Sequence, residues 1–275
     1  MVFEQFLELK NLKRHLLFVF LLGFTYAVFG FGIAKLFFSS SVSIVILFTT
    51  TLLLVPAVTK IIDREEEIES KEGLRHFFRN HSTIIEVYVI LFLGIFLAFF
   101  VIGFFGRLDE SFNYQLSFLE QAEQLSTETI SEFGSSEYNP TFSNFLGLIS
   151  YNLFVALICF VLSLFYGAGA LFLVTLNASV FATFIVYVIR TVSKSAVIFG
   201  LFLIHLIPEM AGFLVAAIAG GVVSRAIMHE RFRSRGFRNV MKDALVLFLI
   251  AVAFILIAAL LEMFVTSKIV HGLLG

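Results

Sequence analysis

The amino-acid sequence predicts an all-α fold, a polytopic transmembrane helix bundle, and two observations support this prediction. Hydrophobic residues make up 59% of the 275 residues and charged residues only 14%, with a mean hydropathy of +0.99. Soluble domains hold about 45–50% apolar and about 25% charged residues. In addition, apolar stretches recur that are long enough to cross a hydrocarbon core of about 30 Å as helices. We therefore expect a multi-pass protein of the cell membrane.

Seven apolar stretches are predicted to cross the membrane. The fifth is the shortest, and only the run "VTLN" lies between it and the fourth. These two stretches therefore either cross separately or form one re-entrant unit. The predicted spans are Leu16–Phe38, Val42–Ile62, Ile84–Phe105, Phe145–Phe172, Leu176–Ile189, Ala196–Val223 and Ala244–Val265.

The distribution of Lys and Arg predicts the orientation. These residues concentrate before the first span, between the second and third, and between the sixth and seventh. Seven spans place all three basic regions on one side, which the positive-inside rule assigns to the cytoplasm. The N-terminus is then cytoplasmic. The chain divides into a three-span part (1–106), an acidic extracytoplasmic segment (107–144) and a four-span part (145–275).

The acidic segment contains an amphipathic helical pattern. Phe112, Leu116, Leu119 and Ala122 recur at i, i+4, i+7 and i+10, which is one face of a helix. The favoured interpretation is a helix that rests on the membrane surface. The alternative is a helix that covers an outward-facing cavity or docks a partner.

The sixth span carries titratable residues where water is scarce. His205 and Glu209 stand four residues apart in "LFLIHLIPEMAGFLVAAIAGG" and share one helix face. A charged side chain at the bilayer centre costs about 2.5–3.5 kcal/mol on insertion scales, so both are expected to face protein. Small residues on the same helix allow close approach of a neighbouring helix: Gly212, Ala216, Ala219, Gly220 and Gly221.

Three further residues are expected to complete a polar cluster with His205 and Glu209. Pro208 cannot donate a hydrogen bond to the Ile204 carbonyl, so the helix is expected to kink or open there. Asn152 lies about 10 Å below the predicted outer end of its span and Glu262 within about 6 Å of its own, against about 15 Å for His205, so the three are expected to converge on an outward-opening cavity. Such a cluster would hold a water, a proton, an ion or a partner's polar side chain.

Enzymatic activity is not expected from these residues. His205 and Glu209 supply two metal ligands where a zinc site needs three or four, and no HExxH motif occurs. No G-x-S-x-G motif occurs, and Cys159 is the sole cysteine. The sequence therefore predicts no metal, no cofactor and no enzyme, with an intramembrane metalloprotease as a minor alternative.

Basic residues cluster between the sixth and seventh spans, including Arg231, Arg233, Arg235 and Arg238. Cations near the surface attract anionic lipid headgroups by about 1 kcal/mol each. The simpler interpretation is that they only enforce topology. The net charge of −1 gives no indication of nucleic-acid binding.

The second half of the chain, about Phe145 to Val265, resembles the stage II sporulation protein M family. The similarity rests on the His205–Glu209 spacing followed by the run "AAIAGG", on an upstream Asn177, and on polar residues that match Asn152 and Glu262. Three positions depart from the family pattern: Pro208 follows the histidine instead of preceding it, Leu206 replaces a glycine, and Ala178 replaces a second glycine. For Asn177 itself, a position near the end of the fifth span favours a helix cap.

The resemblance implies a scaffold. In spore-forming bacteria the family member anchors two peptidoglycan-degrading partners at the membrane and is not known as an enzyme. Nothing in the sequence indicates sporulation. The first hypothesis is therefore a non-enzymatic anchor that positions membrane or cell-envelope proteins. The alternative is a transporter or permease component with a proton or ion site at His205 and Glu209. Membrane lipids are expected partners, and small-residue stripes are compatible with a homodimer or with packing inside one chain.

Overall fold

The computed structural model describes residues 16–72, 77–121, 142–165, 169–191, 195–232, 234–266 and 268–269. Within these ranges the longer elements are all helices and no strand occurs, so the predicted all-α bundle is confirmed. The elements are α1 (Leu16–Phe37), α2 (Val42–Glu72), α3 (Phe77–Phe105), α4 (Leu108–Ser111), α5 (Asn113–Gln121), α6 (Phe142–Phe165), α7 (Gly169–Thr191), α8 (Ser195–His229) and α9 (Arg235–Leu261), followed by a π-helical turn (Glu262–Thr266).

Six of these helices are long and apolar enough to cross a membrane. They are α1, α3, α6, α7, α8 and α9, the last continuing through the π-helical turn. The remaining predicted span, the second, corresponds to the apolar part of α2, Val42–Val58, which at 1.5 Å per residue is about 25 Å long and falls short of the other six. The short apolar stretch is therefore the second of the seven and not the fifth.

The boundary between the fourth and fifth spans was predicted in the wrong place. The chain leaves helix α6 at Phe165 and begins α7 at Gly169, so "VTLN" lies inside α7. The hydroxyl of Thr175 donates to the Leu171 carbonyl 2.9 Å away, so this polar residue is satisfied within the helix. A Cβ at Gly169 would lie 2.5 Å from the Leu162 carbonyl oxygen, so the chain turns closely there. Two full-length helices replace the re-entrant alternative.

Helix α8 lies at the centre of the second half. It packs against α9, α6, α7 and α2, and the stretch from Gly212 to Ser224 is buried throughout. The predicted packing residues divide between two neighbours: a Cβ at Gly212 would meet Ile255 and Ala251 of α9, and one at Gly220 would overlap the Phe160 carbonyl of α6. Ala216, Ala219 and Gly221 are also buried. The small residues thus serve packing within one chain.

Helices α1 and α3 approach each other through a pair of glycines. A Cβ at Gly23 would lie 2.7 Å from the Leu91 carbonyl oxygen, and one at Gly94 would overlap the Phe20 carbonyl. Helix α3 then contacts α7, where the Phe92 and Phe181 rings meet edge to face with centroids 6.4 Å apart. A single hydrophobic core therefore includes both the three-span and the four-span parts.

The amphipathic stripe of the outer segment packs against protein instead of resting on the membrane surface. Phe112 and Leu119 are each 1% exposed, and Leu116 is partly buried against the core. The Phe112 ring meets Phe99 of α3 edge to face at a centroid distance of 5.8 Å. Gly103 lies beside this contact, since a Cβ there would be in ordinary van der Waals contact with the Phe112 ring at 3.5 Å. Ala122 lies outside the described residues.

Candidate functional site

Three titratable side chains from two helices converge near the start of α8. One ligand atom each from His205, Glu209 and Glu262 lies within 4.8 Å of the other two. His205 is 3% exposed and Glu209 8% exposed, while Glu262 is partly buried. His205 and Glu209 lie on one face of α8 because they stand one helical turn apart. Glu262 joins them because α9 packs antiparallel to α8 and ends beside them.

The π-helical turn at the end of α9 shapes the cluster. It begins at Glu262 and ends at Thr266, and π-helical turns within α-helices frequently occur at functional sites. The Thr266 hydroxyl oxygen is 3.0 Å from Nδ1 of His205 and 3.3 Å from the Leu201 carbonyl oxygen. The tautomer of the imidazole decides which of the two groups donates in the bond between Nδ1 and the Thr266 hydroxyl. When Nδ1 carries the proton, the hydroxyl oxygen accepts and Nε2 carries the lone pair.

Pro208 does not interrupt its helix. Helix α8 runs continuously from Ser195 to His229, so the predicted opening of the backbone is not observed. Pro208 is partly buried, and it lies between His205 and Glu209 in the sequence. Ile204 and Ile207 are exposed, so the face of this turn that they occupy points away from the bundle. Because proline has no N–H, the Ile204 carbonyl still receives no hydrogen bond from residue 208.

Helix α6 contributes Tyr151 to the surroundings of the cluster, since this residue is 38% exposed and interacts electrostatically with Glu209. Its neighbour Asn152 is 2% exposed, and its membership of the cluster stays a prediction. Sequence reasoning missed Tyr151, although its position beside Asn152 was a usable signal.

Asn177 belongs to a different contact. It lies in the interior of α7, eight residues after the helix begins at Gly169, so the interpretation as a helix cap was wrong. The misplaced boundary at "VTLN" caused that error. The Asn177 side chain is a hydrogen-bond partner of the Cys159 thiol on α6, so it ties α6 to α7.

The two carboxyl groups of the cluster have no cationic partner within the part of the chain that the structure describes. Among the described residues, Glu209 and Glu262 form no ion pair with a Lys or Arg and no side-chain hydrogen bond, while each lies within electrostatic range of the other. Like charges in a low-dielectric interior repel strongly, and buried charges are normally paired or coordinate a metal. The arrangement can therefore hold a proton or a cation between the acids.

A second group of polar residues lies at the other end of α8, and sequence reasoning missed it. Tyr88 of α3 is fully buried, and its hydroxyl makes no hydrogen bond among the described residues, yet it interacts electrostatically with Arg225. Asp243 of α9 is 1% exposed. Arg225 and Asp243 were placed in a long loop, whereas α8 extends to His229 and α9 begins at Arg235.

The basic residues that flank this connection face outward. Arg231, Arg235 and Arg238 are exposed, and Arg233 lies outside the described residues. Phe232 beside them is 74% exposed. Ser234 caps α9 by accepting from the Phe237 backbone N–H at 3.0 Å. Binding of anionic lipid by these arginines stays a prediction.

Fold and site together define a class: a polytopic, all-α membrane protein with a buried imidazole–dicarboxylate cluster. Residues 87–267, roughly two thirds of the chain, match the family described as Stage II sporulation protein M, and the chain belongs to that family. The resemblance seen in the second half is thereby confirmed and extends upstream over α3 and the outer helices. No curated protein and no solved structure matches the chain.

Proposed function

We propose that this protein is a non-enzymatic anchor of the cell membrane that positions partner proteins on the extracytoplasmic side. The observation that carries the proposal is the burial of α5, the outer helix, in the bundle. A helix that only floated on the lipid would not hold a fixed position relative to the spans. One face of α5 is packed against the core, and this packing determines where the exposed opposite face points.

Gln115 is the main attachment of α5. Its side chain is fully buried, and Nε2 donates to the Ser43 carbonyl of α2 at 3.3 Å and to the Ser179 hydroxyl of α7 at 3.1 Å. The Ser43 hydroxyl also donates to the Asn113 side chain. A buried amide N–H group without a hydrogen bond lowers the stability of the fold, so these bonds favour one orientation of α5. Tyr114 and Phe118, which are 48% and 40% exposed, then face away from the bundle.

Polar contacts brace the surrounding ends of the helices. Nη2 of Arg190 lies 2.9, 2.8 and 3.0 Å from the carbonyl oxygens of Gly103, Phe104 and Gly106. These carbonyls end α3, and a cation there satisfies them and complements the helix dipole. Glu110 pairs with Arg107 at 2.6 Å and with Lys35 at 3.6 Å. These contacts support the proposal, since an anchor for partners requires a braced platform at the end of the bundle that is predicted to be extracytoplasmic.

The test is site-specific photo-crosslinking from position 118 in the full chain in its native membrane. If the platform docks a partner, a defined adduct forms, and Gln115→Ala abolishes it because α5 loses its orientation. Ser117→Ala, an exposed neighbour on α5, is the matched control and should leave the adduct unchanged. An adduct that survives Gln115→Ala, or that never forms although the chain folds, contradicts the proposal.

A second candidate function, transport of a proton or ion, is favoured by the uncompensated carboxyl groups of Glu209 and Glu262. Intramembrane acids frequently mark ion pathways. In proteoliposomes, this function requires ion flux that Glu209→Gln removes. Flux that is unchanged in both His205→Ala and Glu209→Gln would exclude transport through this cluster and leave the anchor proposal untouched.

A further inference from the structure

We propose that His205, Glu209 and Glu262 bind one divalent first-row transition metal ion of the zinc or manganese type. This inference goes beyond the anchor function and does not depend on it. The sequence indicated only two ligands on α8. The third ligand comes from α9, and it changes the conclusion about metal binding.

The distances between the ligand atoms suit a shared ion. Three atoms within 4.8 Å of one another all lie within about 2.8 Å of a common point. Zinc binds imidazole nitrogen and carboxylate oxygen at about 2.0–2.2 Å. Each ligand atom therefore needs to move inward by less than about 1 Å, which rotation of the Glu side chains can supply. The backbone need not move.

A hydrogen bond orients the imidazole ring of the candidate ligand: Nδ1 of His205 lies 3.0 Å from the Thr266 hydroxyl oxygen. In the tautomer that donates from Nδ1, Nε2 carries the lone pair that a metal needs. Metal-ligating histidines almost always donate their second ring N–H to an oxygen in this way. The π-helical turn produces the arrangement, because it presents both Glu262 and Thr266 to α8.

The charges of the cluster also match a divalent cation. Glu209 is only 8% exposed, and its carboxylate has no hydrogen bond or cationic partner among the described residues. Two carboxylates carry a charge of −2, which one divalent ion neutralises. Mixed imidazole and carboxylate donors suit zinc, iron and manganese, whereas magnesium and calcium prefer sites made of oxygen alone. Three protein ligands leave one coordination position for water or a partner group.

The test measures zinc and manganese content by mass spectrometry. Full-length protein in detergent is stripped with chelator, re-loaded with ZnCl₂ or MnCl₂ and desalted. The wild type should retain one ion per chain, and Glu262→Gln should retain none under the same conditions. Glu110→Gln removes an exposed acid outside the cluster and should match the wild type. Thr266→Val keeps all three ligands and should weaken zinc affinity roughly 10–100-fold.

Two outcomes overturn the proposal. One is the absence of stoichiometric metal in a wild-type protein that elutes as a single folded species, which would mean that the acids share a proton instead. The other is equal retention by the wild type, Glu262→Gln and His205→Ala, which would place the ion elsewhere. Because neither measurement involves a partner protein, failure here does not affect the anchor proposal, and loss of the crosslink does not affect this one.

Discussion

Helix α8 carries polar residues near both ends, and the two regions differ in their charges. Near its start, the outer cluster of His205, Glu209 and Glu262 contains two acids and no Lys or Arg among the described residues. Near its end, the inner region contains both the Arg225 guanidinium and the buried Asp243 carboxylate. The register that sets Gly212 against Ala251 and Ile255 puts Arg225 and Asp243 at the same end of the α8–α9 hairpin.

The difference separates a structural role from a binding role. In the inner region, Arg225 and Asp243 bring both signs of charge to one end of the hairpin, so a countercharge is available within the chain. In the outer cluster, the described residues supply two carboxyl groups and an imidazole but no Lys or Arg, so a bound proton or cation would compensate the acids. The inner region is thus expected to be needed for folding, and the outer cluster for binding.

The largest expected effect is at the inner region. Asp243→Asn removes the negative charge while the Arg225 side chain stays partly buried, and loss of one member of a buried charged group costs about 3–5 kcal/mol. The free energy of unfolding in detergent should fall by that amount. Glu209→Gln in metal-free protein is the contrasting variant. It relieves repulsion between two acids, so the free energy of unfolding should not fall. Comparable destabilisation by both variants would remove the distinction between the regions.

Metal binding should stabilise only the outer cluster. With ZnCl₂ at about 100 times its dissociation constant, the wild type should gain about 2.7 kcal/mol of unfolding free energy by mass action. Asp243→Asn should gain the same increment from its lower starting point, because its metal ligands are intact. Glu262→Gln should gain none. If Asp243→Asn abolished the stabilisation by zinc and Glu262→Gln preserved it, the ion would bind in the inner region, and the assignment to the outer cluster would be wrong.

Packing between the two regions should cost less to disturb. In Gly220→Ala the new methyl overlaps the Phe160 carbonyl of α6, and overpacking of this kind costs typically about 1–3 kcal/mol. Gly147→Ala on α6 is the control, since nothing lies within 4 Å of its Cβ, and it should be neutral or slightly stabilising. Thermal unfolding of both variants measures the effect. Equal behaviour of the two would show that α6 and α8 are not in close contact.

The smallest effect is expected at the connection between α8 and α9. Ser234→Ala removes the side chain that accepts from the Phe237 N–H, and loss of an N-cap costs about 1 kcal/mol. The variant should unfold at a slightly lower temperature and keep the metal affinity of the wild type. A change in zinc affinity would mean that the two ends of α8 are coupled.

The sequence predicts those features that depend on one helix alone. Composition predicts the bundle, and periodicity places His205 and Glu209 on one face. Features that arise between helices were harder to predict. An amphipathic stripe such as that of Phe112 and Leu119 predicts that one face of a helix is buried. It does not distinguish burial against protein from burial in the membrane surface, because both offer an apolar environment. The close approach of α1 and α3 at Gly23 and Gly94 was likewise not evident from either helix.

Local irregularities account for the remaining errors. The break between α6 and α7 was predicted at polar residues, although Thr175 satisfies its hydroxyl inside the helix, and α7 already begins at Gly169. The π-helical turn that presents Thr266 to His205 changes the helical register, so a regular period of 3.6 residues does not reveal it. These irregularities determine the detailed geometry of the candidate site.

The most direct measurement is X-ray absorption at the zinc edge of the full-length protein loaded with one equivalent of ZnCl₂. The structure predicts one imidazole nitrogen and two carboxylate oxygens in the coordination shell, with the imidazole signal absent in His205→Ala and the shell changed in Glu262→Gln. A spectrum of hydrated zinc, the same in all three proteins, would contradict the assignment of this cluster as a cation site.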